Sequence, residues 1–246
     1  MLTDAHKGAF MTDTITIAAR FNGPPTSGNG GYSAGLLAPY AGYGAVRVQL
    51  RAPPPLDTPL TVQKTDKGAE ARNGETVVVI AAPAEPLAPP PAPPTPSLAV
   101  TGRGNFISED EHVFPTCFVC GPHRHEGDGL RIFSGPLDGF EGVGDVWTPD
   151  KSLANQTGLV GDEFLWAALD CPGAFAIGNQ ENPMVLGQMT AQIHRQAAVG
   201  EPLTILGWHM FDDGRKHGAG TAIYRADGTC IAQSEQVWIE LKPKAA

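Results

Sequence analysis

Cysteine is scarce in this sequence, with four in 246 residues. So few thiols in a chain this long do not make a disulfide framework, and free thiols are expected. Positive charge is also short: 17 Lys and Arg against 26 Asp and Glu leave a formal net charge of −9. That balance speaks against nucleic acid and anionic membrane as partners. No apolar run approaches the length of a membrane span. The opening residues, Met1-Leu2-Thr3-Asp4-Ala5-His6-Lys7, lack the basic and apolar blocks of a signal peptide. A cytoplasmic location is therefore expected. Hydrophobic residues make up 41% of the chain, enough to bury a sizeable core in one large domain or two small ones. The 30 glycines fall mostly at predicted turns and the 23 prolines cluster, which indicates strand-rich architecture rather than disorder.

One stretch stands out. In Gly161-Asp162-Glu163-Phe164-Leu165-Trp166-Ala167-Ala168-Leu169-Asp170-Cys171-Pro172-Gly173, apolar residues recur at helical spacing and two carboxylates sit in the first turn, where they suit the positive helix end. Asp170 falls beside the apolar stripe. A carboxylate there must be hydrogen-bonded, protonated or used. The plainer reading is that Asp-Cys-Pro-Gly ends the helix, because Pro172 removes a donor and Gly173 permits a turn.

The rest of the chain reads as two copies of one pattern. Residues 15–21 suggest a strand, Asn22-Gly23-Pro24-Pro25 a turn, and residues 32–40 a short helix after Ser27-Gly28-Asn29-Gly30-Gly31. Val46, Val48 and Leu50 alternate with Arg47, Gln49 and Arg51; residues 60–64 give the next strand, and Arg72-Asn73-Gly74-Glu75 signals a type I′ hairpin into residues 76–81. The proline-rich stretch 83–96 should be a stiff extended connector spanning about 40 Å at about 3.1 Å per residue. Beyond it, residues 128–133 and 142–148 suggest paired strands, followed by the Asp170 helix. Strands at 187–196, 202–211, 217–224 and 229–241 come next, the last two joined by Ala226-Asp227-Gly228. Leu56-Asp57-Thr58-Pro59-Leu60-Thr61-Val62 matches Val199-Gly200-Glu201-Pro202-Leu203-Thr204-Ile205, and at the same offset Gln49 matches Gln192 and Leu50 matches Ile193. Residues 14–82 and 127–241 are thus expected to be a tandem duplication, with 83–126 as the connector and a Cys-x-x-Cys segment.

A helix followed by an antiparallel sheet, duplicated in one chain, resembles the hotdog fold. Cys117-Phe118-Val119-Cys120-Gly121-Pro122 followed by Gly129-Leu130-Arg131-Ile132 is similar to an element leading the first strand of many hotdog acyl-CoA thioesterases. The resemblance implies an α+β double hotdog with two antiparallel sheets, each wrapped around a central helix. Thioesterases of the phenylacetate-pathway type carry His-Gly-Gly at the helix start and an Asp nine residues after that His. In the second half the Asp falls on Asp170, but His-Gly-Gly falls on Gly161-Asp162-Glu163. In the first half the motif falls on Asn29-Gly30-Gly31, and the Asp position is Ala38. The resemblance implies a site shared between paired copies, so Asn29, Gly30, Gly31 and Asp170 would form one complete site, and Gly161-Asp162-Glu163 with Ala38 a dead one.

A thioester carbonyl is electrophilic and its thiolate leaves easily, since free thiols have pKa about 8.5. The expected chemistry is therefore hydrolysis of an acyl-CoA, with Asp170 as base or nucleophile and the amides of Gly30 and Gly31 as oxyanion donors. Asn29 would position the carbonyl or cap the helix. Coenzyme A is expected as part of the substrate and no separate cofactor is required; a homodimer of double hotdogs is a further expectation. Cys117, Cys120, His123 and His125 offer four candidate zinc ligands. The tight His-x-His spacing and the likeness to a structural turn favour a site without metal. Arg47, Arg51, His194 and Arg195 are candidates for coenzyme A phosphates or for a solvated sheet face. Trp166, Trp208 and Trp238 are expected in the core or an interface. The rival functions are a non-catalytic acyl-thioester-binding protein and a hotdog hydratase, the latter weakened because Asn182-Pro183-Met184-Val185 lacks the histidine of an Asn-Pro-x-His segment.

Overall fold

The computed structural model describes residues 13–178 and 183–241. The N-terminal half comprises β1 (Thr14–Ile15), α1 (Gly30–Leu37), β2 (Ala45–Leu50), β3 (Leu60–Thr65), β4 (Gly68–Asn73) and β5 (Thr76–Pro83). Two short helices follow, α2 (Pro96–Ala99) and α3 (Thr101–Gly104). The C-terminal half holds β6 (Gly135–Leu137), β7 (Phe140–Trp147), α4 (Asp162–Ala176), β8 (Met184–Ile193), β9 (Leu203–Asp213), β10 (Lys216–Tyr224) and β11 (Cys230–Glu240).

Among the described residues, eleven strands form one antiparallel sheet in the order β1-β3-β4-β5-β2-β8-β11-β10-β9-β7-β6. Read outward from the centre, each half repeats the same order, so the halves mirror each other across the β2–β8 seam. There Val46 faces Ala191, Val48 faces Met189 and Gln49 faces Gln188, whose Oε1 accepts from Gln49 Nε2 at 3.1 Å. The expectation of two sheets is corrected to one continuous sheet. Alternation along β2 shows which face is buried, but not whether its edge has a partner, and two unpaired edges satisfy each other's backbone groups.

The duplicated pattern reaches the backbone. β3 opens at Leu60 and β9 at Leu203, the matched leucines, and each is preceded by a left-handed residue at the matched position: Asp57 at φ 52° and Gly200 at φ 78°. The predicted hairpin forms, but not as a type I′ turn: Asn73 pairs with Thr76 across Gly74-Glu75, and of those two loop residues only Gly74 is left-handed, at φ 55°.

Several local expectations change. Of the first predicted strand only Ile15 pairs with β3, together with Thr14 before it; the chain then tightens into a 3₁₀ turn at Ala19–Phe21, where Asp57 Oδ1 accepts from the Ala19 amide at 2.9 Å. Residues 128–133 form no strand. The amides of Leu130 and Ile132 donate instead to Phe118 and Val119 carbonyls at 2.8 and 2.9 Å, and β6 begins later. α4 does not stop at Pro172 but runs four residues past it to Ala176. Pro172 offers Ala168 no N–H. Around that point the Leu169 carbonyl accepts from Thr221 Oγ1 at 2.8 Å and Gln236 Nε2 at 2.5 Å.

Residues 84–95 have no regular structure and are held to the second half, where Gln192 Oε1 accepts from the Leu87 amide at 3.3 Å and the Pro91 carbonyl from Tyr224 Oη at 2.6 Å. The following segment enters the main core: Phe118 and Val119 are fully buried with the residues of α1, α4 and both halves of the sheet. No described helix is long and apolar enough to cross a membrane.

Candidate active site

Five of the eight residues of α1 are small, Gly30, Gly31, Ser33, Ala34 and Gly35. Their smallness lets it lie against α4 at a separation larger side chains would forbid. A Cβ on Gly31 would sit 2.4 Å from the Trp166 carbonyl oxygen and 2.7 Å from Asp170 Cβ; one on Gly35 would sit 2.7 Å from Glu163 Cα. The order of these contacts makes the helices antiparallel, and it brings the first turn of α1 against Asp170.

Asn29 caps α1, its Oδ1 accepting from the Tyr32 amide at 2.9 Å. Its other side-chain atom turns outward: Nδ2 donates to Asp170 Oδ2 at 2.6 Å, and the Gly31 amide donates to the same oxygen at 3.0 Å. Asp170 is 2% exposed, and its Oδ1 is buried without a hydrogen-bond partner among the described residues. Burial pushes its carboxyl up to about 7, against the lowering pull of the Gly31 amide and the Asn29 side chain. The structure thus brings Asn29, Gly30, Gly31 and Asp170 into one place. It also corrects one role: the Gly31 amide is engaged by Asp170 and is not a free oxyanion donor.

Asn29, Gly30 and Asp170 line a narrow cavity of ≈ 80 Å³. Its apolar walls come from Leu50 and Leu186 at the sheet seam, Phe175 past Pro172, Phe114 and Trp238. Trp238 Nε1 donates to Gln236 Oε1 at 2.7 Å, the same glutamine that holds the Leu169 carbonyl. One wall residue was not foreseen from the sequence: His112, 8% exposed, whose Nδ1 accepts from the Phe114 amide at 3.1 Å. That bond places the proton of a neutral imidazole on Nε2, which is buried and without a partner among the described residues. Burial lowers the His112 pKa and so favours the neutral ring. A lone histidine in a coil segment carries no periodic signal, and only the tertiary fold brings it to the cavity that Asp170 also lines.

The cysteines also gather on this wall. Cys117, Cys120 and Cys171 are buried, unbridged and mutually close, all three sulfurs within 4.8 Å of one another and Cys117 Sγ 3.7 Å from Cys171 Sγ. Hydrogen bonds from Cys120 and Cys171 push the Cys117 thiol down; burial foremost raises Cys120, and donation to Cys117 foremost raises Cys171. His123 and His125 do not join this group; His123 lies 3.8 Å from Glu109 and is half exposed. Arg47, Arg51, His194 and Arg195 are exposed, and none lines the Asp170 cavity. Trp166 and Trp238 are buried and Trp208 packs at the edge of a second small cluster.

The mirror-related place, at the start of α4, is a separate depression lined by Asp162, Trp166, Gly35 and Ala38. It has alanine where the other site has its acid.

No family model matches the chain, and no curated protein does. Solved structures do. A hot dog fold protein of unknown function from Alicyclobacillus acidocaldarius superposes at TM-score 0.61 and 13% identity, over 94% of this chain and 93% of that one. The tesB protein of Mycobacterium avium subs paratuberculosis superposes at TM-score 0.57 and 13% identity, over 93% and 92%. Similarity over nearly the whole length of both chains, together with the helix-and-sheet order repeated across the β2–β8 seam, makes this a chain of the hotdog fold.

Proposed function

We propose that this chain is a tandem (double) hotdog acyl-CoA thioesterase in which Asp170, through Oδ1, acts as nucleophile or as the base that activates water. The observation carrying this reading is the division of labour within one carboxylate. Asn29 and Gly31 hold Oδ2 from the opposite half, while Oδ1 of this cavity-lining residue has no hydrogen-bond partner among the described residues.

In the base route, Oδ1 takes a proton from water as the water oxygen bonds to the thioester carbon. The carbon–sulfur bond then breaks, and the thiolate leaves with its electron pair and is reprotonated. In the nucleophile route, Oδ1 itself bonds to that carbon, the thiolate leaves, and water hydrolyses the acyl–aspartate. Both need donors for the charge that develops on the carbonyl oxygen. With the Gly31 amide engaged and the Gly30 amide also drawn to the Asp170 carboxylate, the remaining candidate on the cavity wall is His112 Nε2–H. Coenzyme A enters as part of the substrate, so the reaction needs no separate cofactor. The free thiols fit a reducing compartment, and the cytoplasm is the site of action we favour.

The second reading is an acyl-thioester-binding protein without turnover. One observation favours it: a carboxyl at about 7 is largely neutral below neutral pH, and a neutral acid is neither base nor nucleophile. Both readings are tested by an acyl-CoA panel on wild type and Asp170→Asn, following thiol release and measuring ligand binding separately. The thioesterase reading expects turnover to fall by at least about 10²–10⁴-fold with binding kept. Undiminished turnover in Asp170→Asn overturns the role of Asp170. Binding without turnover in wild type favours the binding protein.

A further inference from the structure

We propose that Cys117, Cys120 and Cys171 form a binding site for zinc or a similarly thiophilic divalent cation, with the fourth coordination place facing the cavity beside Asp170. The inference is independent of the thioesterase reading.

Its basis is geometric. The three sulfurs come from two unconnected elements, a Cys-x-x-Cys turn and α4, yet converge within 4.8 Å of one another. A tetrahedral zinc with zinc–sulfur bonds of about 2.3 Å holds its sulfurs about 3.8 Å apart. Cys117 and Cys171 stand at 3.7 Å. A disulfide would require about 2.05 Å. The turn is shaped to present its sulfurs: the Gly121 amide donates to the Cys117 carbonyl at 2.9 Å, and a Cβ on Gly121 would lie 2.5 Å from that oxygen. All three cysteines line the cavity together with Asp170 and His112, each of which has a buried polar atom, Oδ1 and Nε2, without a partner among the described residues.

The donor set selects the ion. Three thiolates suit zinc and other soft or borderline cations and exclude calcium and magnesium, which take oxygen ligands. Three protein ligands with an open fourth place are the pattern of a site that admits a further ligand, unlike a closed four-ligand structural site. Binding converts each thiol to thiolate, so one divalent cation enters as up to three protons leave to solvent. The site also differs from one read off local spacing, since Cys171 takes part and His123 and His125 do not.

The test uses the full chain purified without chelator from zinc-supplemented cells. Elemental analysis is expected to find about one zinc per chain. Cys171→Ser is expected to weaken zinc binding by more than the roughly 10–100-fold that loss of a supporting, non-ligating residue brings, and His123→Ala/His125→Ala to leave it unchanged. Equal affinity in Cys171→Ser, or loss of metal in the histidine variant, overturns the assignment. Should Cys171→Ser not fold, titration of the metal-free wild type with cobalt(II) decides. A thiolate-to-cobalt charge-transfer band is expected, and its absence overturns the proposal.

Discussion

Asn29 Nδ2 lies 2.6 Å from Asp170 Oδ2, joining residues 141 positions apart, while Asn29 Oδ1 receives the Tyr32 amide at 2.9 Å. One side chain therefore both starts α1 and orients the acid of the other half. The two roles separate by substitution. Asn29→Ala should lose about 1 kcal/mol of helix capping. Asn29→Ser should keep most of that stability, because serine caps but is too short to reach Asp170. Loss of a hydrogen bond to a charged group, about 1.5–3 kcal/mol, should slow both variants about 10–100-fold. Thermal melting and thiol-release assays on the pair check this; wild-type turnover in Asn29→Ser would leave Asn29 a cap and nothing more.

Gly31 and Gly35 lie one helical turn apart on the face of α1 that meets α4, and they should respond differently. A methyl on Gly31 meets a backbone carbonyl and Asp170 itself, so Gly31→Ala must separate the helices where the site is assembled. The expected cost is about 1–3 kcal/mol of stability together with most of the turnover. A methyl on Gly35 meets Glu163 Cα and the Trp166 side chain, one turn away. Gly35→Ala should cost similar stability with a smaller effect on turnover. Urea unfolding and kinetics on both variants give the comparison, and equal kinetic losses would argue that helix spacing alone matters.

His112 lines the cavity with a ring whose burial favours the neutral form and whose Nε2 has no hydrogen-bond partner among the described residues. If its Nε2–H serves the carbonyl oxygen in the transition state, His112→Ala should lower kcat about 100-fold or more with little change in KM. His112→Gln, which carries an N–H at similar reach, should recover part of the loss. A rise in KM with kcat intact would instead mark His112 as a wall of the acyl pocket.

What the sequence disclosed and what it hid follow from the range of the signals. Asn29-Gly30-Gly31 and Asp170 were paired through the resemblance of each half to the thioesterase helix motif, whose site is shared between copies. The hairpin near Gly74 was legible because its chemistry is local, although its turn type was not: Asn73 stays in the strand and only Gly74 is left-handed. Cys171 was not recognised as a neighbour of Cys117, because ligand spacing reports only residues close in sequence and these stand 54 apart. The passage of α4 through Pro172 was hidden for a related reason: the groups that hold the Leu169 carbonyl, Thr221 and Gln236, come from β10 and β11. The joining of two sheets into one was hidden as well, since side-chain alternation carries no information about strand edges.

Asp145 anchors the segment that carries His112 and the Cys-x-x-Cys turn, and it should leave a signature in the pH dependence of stability. It is fully buried on β7 and accepts from Arg103 Nη2 at 2.8 Å, the Phe133 amide at 2.7 Å and the Val146 amide at 2.8 Å. Burial raises its carboxyl to about 6, outweighing the opposing pull of Arg103 and the two amides. An unfolded Asp titrates near 3.9, so between these values the folded protein holds a proton that the unfolded chain releases. The contribution of this group to stability is therefore full below about pH 4 and is lost as the pH rises through about 6, on the order of 3 kcal/mol in total. Asp145→Asn cannot titrate. Relative to wild type it should gain roughly 1–1.5 kcal/mol between about pH 5 and about pH 8, whatever its offset from lost ionic hydrogen bonds. Urea midpoints of both proteins across that range measure the difference directly. Parallel curves would mean that Asp145 stays ionised throughout, held by Arg103 more strongly than burial opposes it.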